Sequence, residues 1–81
     1  SIEPYPTPNI NEQSLKKLLN RVKFVDYIVF GMWHYNKLVS QYKDHKAFYD
    51  ECSETVIEFC KKNNIRFHIK TGTYSKEESD L

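Results

Sequence analysis

Four stretches of the chain carry a regular pattern of apolar and polar positions. In the first, Leu15, Leu18, Leu19 and Val22 recur at helical spacing while Lys16, Lys17, Asn20 and Arg21 fall on the opposite side. That period predicts a helix over 12–22 with one stripe to be covered. Asn11 is its expected N-cap, Glu12 sits favourably in the first turn, and Ile10 and Leu15 are placed as a hydrophobic staple. Val25 to Phe30 is short, β-branched and aromatic, apolar on both alternating faces, and ends at Gly31; this suits a strand covered on both sides, as in a parallel sheet. A second helix is expected from Asp44, with Phe48, Cys52, Thr55, Val56, Phe59 and Cys60 at helical spacing, Lys61 and Lys62 in its last turn, and Asn63 and Asn64 as its stop. Ile65, Phe67 and Ile69 then alternate with Arg66, His68 and Lys70, the signature of a strand with one face in a core.

The flanks add a strand stub and a tail. Ile2-Glu3-Pro4, followed by Pro6 and Pro8, holds the backbone extended. Thr71-Gly72-Thr73 is expected to turn the chain away, and Tyr74 to Leu81, charged and poor in apolar residues, to form a flexible tail. The order is β-α-β-α-β, which implies right-handed crossovers and a parallel sheet. Both helices share one face only if the strands advance in one direction, as they do in a barrel. The fold class expected is therefore α/β, a β-α-β-α-β slice of a (β/α) barrel with parallel strands, whose missing strands would precede Ser1.

Composition narrows the function classes. An 81-residue chain with 40% apolar residues, two Gly and three Pro is one small globular domain or a piece of one. A net charge of +1 is too small for a polyanion binder steered by bulk charge. The longest apolar run, Tyr27 to Phe30, is far short of the ~20 residues of a membrane-spanning helix. Cys52 and Cys60 are eight apart; on one helix they differ in height by about 12 Å, beyond the ~7 Å Cα limit of a disulfide. Two free thiols make a cytoplasmic address the default.

In parallel α/β architectures, ligands lie at the carboxyl ends of the strands. Those ends fall at Glu3 to Asn9, Gly31 to Tyr42 and Lys70 to Tyr74. The Gly31 to Lys43 connection is longer than the usual two to six residues of a βα loop. It carries Trp33, His34, Tyr35 and Asn36, able either to stack a flat ring or to close the mouth by packing alone. Glu3 and Lys70 are either ligand-binding groups or an ion pair at the mouth. His34, His45, Cys52, Cys60 and His68 lack zinc-ligand spacing, the cysteines lie on the expected buried face of a helix, and no glycine-rich phosphate loop exists.

These segments in this order resemble a known family. Ile2-Glu3-Pro4 closing a strand, the Leu15 to Val22 helix, the Val25-Asp26-Tyr27-Ile28-Val29-Phe30-Gly31 strand, the aromatic-Asn loop Trp33-His34-Tyr35-Asn36, and Ile65 to Lys70 are similar to the C-terminal portion of radical S-adenosylmethionine (radical SAM) proteins, in particular the DNA repair photolyase or spore photoproduct lyase-like group. The resemblance spans 1–73, leaving 74–81 as a flexible tail, and implies a partial (β/α)6 barrel. It implies a 4Fe-4S cluster and S-adenosylmethionine in the intact enzyme, with the presumed N-terminal half of the same protein as partner and nucleic acid engaged only by the intact enzyme. Glu3, Gly31, Trp33, His34, Tyr35, Asn36 and Lys70 would face the barrel mouth, on the side of substrate or cosubstrate. The departure is the cluster motif: the family's CxxxCxxC is absent, and three thiolates are the minimum that leaves one iron open. This chain is therefore expected to hold no cofactor, to be inactive alone, and to self-associate through its uncovered sheet face. The competing readings are a small self-contained α/β protein-interaction module, and a nucleic-acid binder using Lys37, Lys43, Lys46 and Arg66, the latter weakened by Asp44, Asp50 and Glu51 among them.

Overall fold

A computed structural model describes residues 1–76 of the chain. The elements run β1 (Ile2–Tyr5), α1 (Leu15–Arg21), β2 (Tyr27–Met32), α2 (Lys37–Gln41), α3 (His45–Lys62) and β3 (Arg66–Ile69). The strands form one sheet in the order β1-β2-β3, and both pairings are parallel. The protein is thus a small α/β domain built on a three-stranded parallel sheet. Tyr27 pairs with Arg66 and Phe30 with Ile69 in unbroken register, whereas the β1 to β2 register shifts between Ile2 and Tyr5.

Alternation along the strands assigns their faces. Ile28 and Phe30 of β2 are buried together with Leu15 and Leu19 of α1 and Tyr49, Cys52, Val56 and Cys60 of α3 in one core cluster, with Phe67 and Ile69 of β3 packed against it. Leu19, Phe30, Val56 and Cys60 are fully enclosed. α1 and α3 pack on each other and α3 on β2 and β3, which makes a helix layer over one side of the sheet. On the other side Tyr27, 51% exposed, leads β2, and Arg66 and His68 stand exposed on β3 with Lys70 just past it. The expectation that Val25 to Phe30 is covered on both faces is not met among the described residues, because no element lies over this second face.

Local chemistry moves several boundaries. α1 begins three residues after the expected start: Ile10 and Asn11 donate to the Thr7 carbonyl, forming a turn, and Ser14 is the N-cap, its side chain accepting from Lys17 N at 3.3 Å. Ile10 still packs against the core, as a staple would. β2 continues through Gly31 and Met32, so the glycine lies inside the strand rather than ending it. Within the 31–43 connection a five-residue helix, α2, is capped by Asn36, whose Oδ1 accepts from Leu38 N at 2.8 Å and Val39 N at 3.2 Å. Asp44 does precede α3, but in the left-handed region (φ 58°) and without a side-chain cap bond. Asn63 and Asn64 close α3 as expected, Asn64 with φ 55°.

The first residues of the expected tail are docked. Tyr74 is buried, its hydroxyl donating to Glu54 Oε2 at 3.0 Å; Ser75 donates from its backbone N (2.7 Å) and its hydroxyl to the Asp50 carboxylate; and Lys76 Nζ lies 3.5 Å from Glu54. α3 presents Asp50 and Glu54 one turn apart, and this acid pair tethers the segment. The rest of that segment, 77–81, lies outside the described residues.

Candidate functional site at the carboxyl ends of the strands

Parallel register brings the three strands side by side, and with them Glu3, Gly31 and Lys70. Glu3 of β1 and Lys70, just past β3, meet across Gly31 of β2: Lys70 Nζ lies 3.1 Å from Glu3 Oε2. Gly31 is the floor of this pair. A Cβ there would lie 3.1 Å from Lys70 Cγ and Cδ and 3.2 Å from Glu3 Oε2, so only a bare backbone lets the two side chains cross. The pair is open to water, with the Lys70 side chain 50% and the Glu3 side chain 30% exposed. It contributes little to stability, and each partner can exchange the other for a polar ligand group.

A prediction follows from that geometry. Gly31→Ala separates Glu3 and Lys70 yet changes the unfolding free energy by less than about 1 kcal/mol, because the exposed pair and the strand entropy of glycine are of similar small size. Urea denaturation checks the energy and the Lys70 side-chain chemical shift the separation; a loss of several kcal/mol would show that Gly31 serves packing instead.

The loop residues form a second group. Trp33 is partly exposed and Tyr35 fully exposed, Tyr35 with φ 59°. Together with Met32, Asn36, Lys37 and Val39 they line a cleft of about 440 Å³. An adjoining cleft of about 250 Å³ lies between Met32, Tyr49, Asp50, Gly72, Thr73 and Ser75. His45 and Met32 border both. His34 packs on Gly72 (φ 86°), its Cε1 3.0 Å from where a Cβ would stand, and its ring lies 6.1 Å from that of Tyr35. Asn36 is occupied as the cap of α2. The expected site residues therefore fall in two places: Glu3, Gly31 and Lys70 on the open sheet face, and Trp33, Tyr35 and Asn36 at the outer clefts, with His34 against the Gly72 turn.

The floor beneath this rim is held by buried hydroxyls. The Tyr49 hydroxyl donates to the Tyr5 carbonyl, fixing the end of β1 to α3. The Met32 N–H donates to Thr73 Oγ1 at 3.1 Å and Thr73 N to the Lys70 carbonyl at 3.1 Å, fixing the end of β2 to the turn after β3. Asn9 Nδ2 donates to the Leu38 carbonyl at 2.7 Å, joining the β1–α1 connection to α2. Burial raises the Tyr49 hydroxyl pKa against the opposing effect of a hydrogen bond with the Trp33 backbone, and burial pushes Tyr5 up to about 12. Neither phenol is an acid near neutral pH. Of the cleft residues, Thr73 falls within the expected 70–74 strand end, whereas His45 and Ser75 lie outside the expected ends. The signal was available for His45, since the first turn of a helix following a βα loop must lie at the strand ends.

Cys52 lies beside the Tyr5 and Tyr49 phenols, yet both cysteines are enclosed. Cys52 and Cys60 are buried free thiols on the core side of α3. Burial, and secondarily the charge of Glu51, pushes Cys52 up to about 12, and burial raises Cys60. Among the described residues no group of three or more His, Cys, Asp or Glu is arranged to hold a metal ion. No helix among them is long and apolar enough to cross a membrane. Comparison with protein-family models, with curated proteins and with solved structures finds no match.

Proposed function

We propose that this chain is the C-terminal sector of a radical SAM-type partial barrel, in which its uncovered sheet face lines the lumen and its strand ends line the mouth. One observation carries the reading: three parallel strands succeed one another in sequence order with their helices on a single side. A doubly wound sheet reverses direction and covers both faces, whereas a barrel wall does neither. The character of the open face supports it. Glu3, Tyr27, Arg66, His68 and Lys70 are groups suited to a polar lumen rather than to a packed interface. In this reading Glu3 and Lys70 engage polar groups of substrate or cosubstrate, and Trp33 and Tyr35 flank the entrance. The assignment to the photolyase-like group, with DNA-lesion repair as the chemistry of the whole enzyme and the cytoplasm as its location, rests on the sequence resemblance.

The iron-sulfur cluster of that family does not fit the residues of this chain. Two thiols are too few, and both are turned into the core with their protons held tightly. The cluster belongs to another sector, and this chain alone is inactive. The test is the reading frame upstream of Ser1. The expected result is a continuous frame containing CxxxCxxC; the longer polypeptide, purified without oxygen, contains iron and sulfide and forms 5′-deoxyadenosine from S-adenosylmethionine. A frame without the three cysteines, or a longer polypeptide that binds no iron, overturns the reading. A second reading, a protein-interaction module, is favoured by the exposure of Tyr35, Trp33 and Leu38 on one loop; a sharply monomeric 81-residue chain that melts cooperatively would count for it.

A further inference from the structure

We infer that the free edge of β3 is a docking site for a β-strand of another polypeptide, one carrying acidic and apolar residues at alternate positions. Among the described residues β3 pairs with β2 alone. Arg66 N donates to the Asp26 carbonyl and Lys70 N to the Phe30 carbonyl, so residues 66, 68 and 70 direct their backbone toward β2. In a parallel ladder the intervening residues then direct theirs outward. The N–H and C=O groups of Phe67 and Ile69 form a row with no partner among the described residues.

Side chains on the two faces of this edge define what fits. On the helix side Phe67 and Ile69 are half-buried, leaving apolar surface that an added strand would cover with apolar residues of its own. On the other face stand Arg66, His68 and Lys70. Lys70 already pairs with Glu3, but the side chains of Arg66 and His68 make no ion pair or hydrogen bond among the described residues. The Arg66 guanidinium lies over the Tyr27 ring, 5.6 Å from its centroid. Stacking of this kind fixes the plane while leaving the N–H edges available to a carboxylate. Residues directly across an added pair interact, so acids opposite Arg66 and His68 are selected.

The same row rejects the commonest competitor. Twofold pairing of β3 with β3 of a second copy would set the basic row against itself, and like charges directly opposite are destabilising. Among the described residues the chain after β3 does not supply the strand either. After β3 it turns at Thr73 and runs onto α3, where Tyr74 and Ser75 bind Glu54 and Asp50. Through Lys76 that route leads to the helix layer, away from the edge. The inference rests on the sheet alone and stands independently of the radical SAM reading.

The test uses the 81-residue chain and a labelled peptide alternating glutamate and valine. Three control peptides accompany it: lysine in place of glutamate, the same composition scrambled, and the alternating peptide N-methylated at every second amide on the pairing edge. The expected result is binding of the alternating acidic peptide alone, with slowed amide hydrogen exchange at Phe67 and Ile69. Arg66→Glu weakens that binding by on the order of tenfold, the scale of one inverted cross-strand charge pair. Should Arg66→Glu fold poorly, the N-methylated peptide carries the test without altering the protein. Absence of binding, equal binding of the scrambled or N-methylated peptide, or unchanged exchange at Phe67 and Ile69 overturns the proposal.

Discussion

Replacing Phe30 with alanine is expected to remove about 3–5 kcal/mol of stability, the range for deleting an enclosed aromatic ring. Phe30 is 0% exposed at the centre of the sheet. Its ring lies 5.4 Å from that of Tyr5, which continues through Phe48 and Tyr49 into the N-terminal half of α3. Deleting it leaves a cavity bounded by sheet and helix, which cannot collapse without moving strands held in register. A domain of this length has a total stability of about 4–12 kcal/mol, so Phe30→Ala removes at least about a quarter of it. The contrast is Phe24, the same side chain at 88% exposure beside Lys23, where alanine costs within about 0.5 kcal/mol. Urea denaturation of the two variants checks both. A loss below about 1 kcal/mol for Phe30→Ala would mean that the sheet and helix layers are not packed as described.

The parallel order of the strands was legible because amphipathic helices alternate with β-branched stretches, and a strand, helix, strand connection of that length permits little else. The Glu3–Lys70 pair was legible only in part: Lys70 directly follows β3, but β1 runs on to Tyr5, so Glu3 lies within its strand and meets Lys70 across Gly31. Where reading by pattern failed, two local rules competed. Asn11-Glu12 and Ser14 both satisfy the N-cap pattern, and the turn made by Ile10 and Asn11 on the Thr7 carbonyl decides for Ser14. α2 is too short to show a period, and only Asn36 ahead of Leu38 and Val39 marks it. Tyr49 and Ser53, both fully enclosed, are polar-tipped and so escaped the apolar pattern, although each hydroxyl finds a backbone carbonyl, Tyr5 and Tyr49 respectively. The role of Gly31 is invisible in sequence, since it depends on which residues cross over it. The uncovered face was implied by topology, and the apolar character of Val25 and Tyr27 argued against it; both are exposed.

Alkaline pH is expected to unfold this protein through Cys52 and Tyr5. Burial is the first cause for both: Cys52 rises from 9.0 to about 12, with Glu51 adding to the effect, and Tyr5 from 10.0 to about 12, with Cys52 and Tyr49 adding to it. Below pH 9 both groups are protonated whether the chain is folded or not, and stability does not depend on them. From pH 9 upward the unfolded chain releases the thiol proton, from pH 10 the phenol proton, while the folded chain must retain them until about pH 12. The unfolded state then binds fewer protons, so stability falls with rising pH. Across that window the thiol alone accounts for on the order of 4 kcal/mol, a large share of the total for a domain this size. Urea denaturation of the wild type and of Cys52→Ala at intervals from pH 8 to 11 isolates the thiol together with its effect on the neighbouring phenols Tyr5 and Tyr49. The wild type is expected to lose stability faster than the variant above pH 9; parallel pH profiles would show that the Cys52 thiol ionises as freely in the folded chain as in the unfolded one. A thiol that keeps its proton to about pH 12 is neither a nucleophile nor a ready iron ligand at neutral pH. The same measurement therefore tests whether the Cys52 thiol is inert at neutral pH.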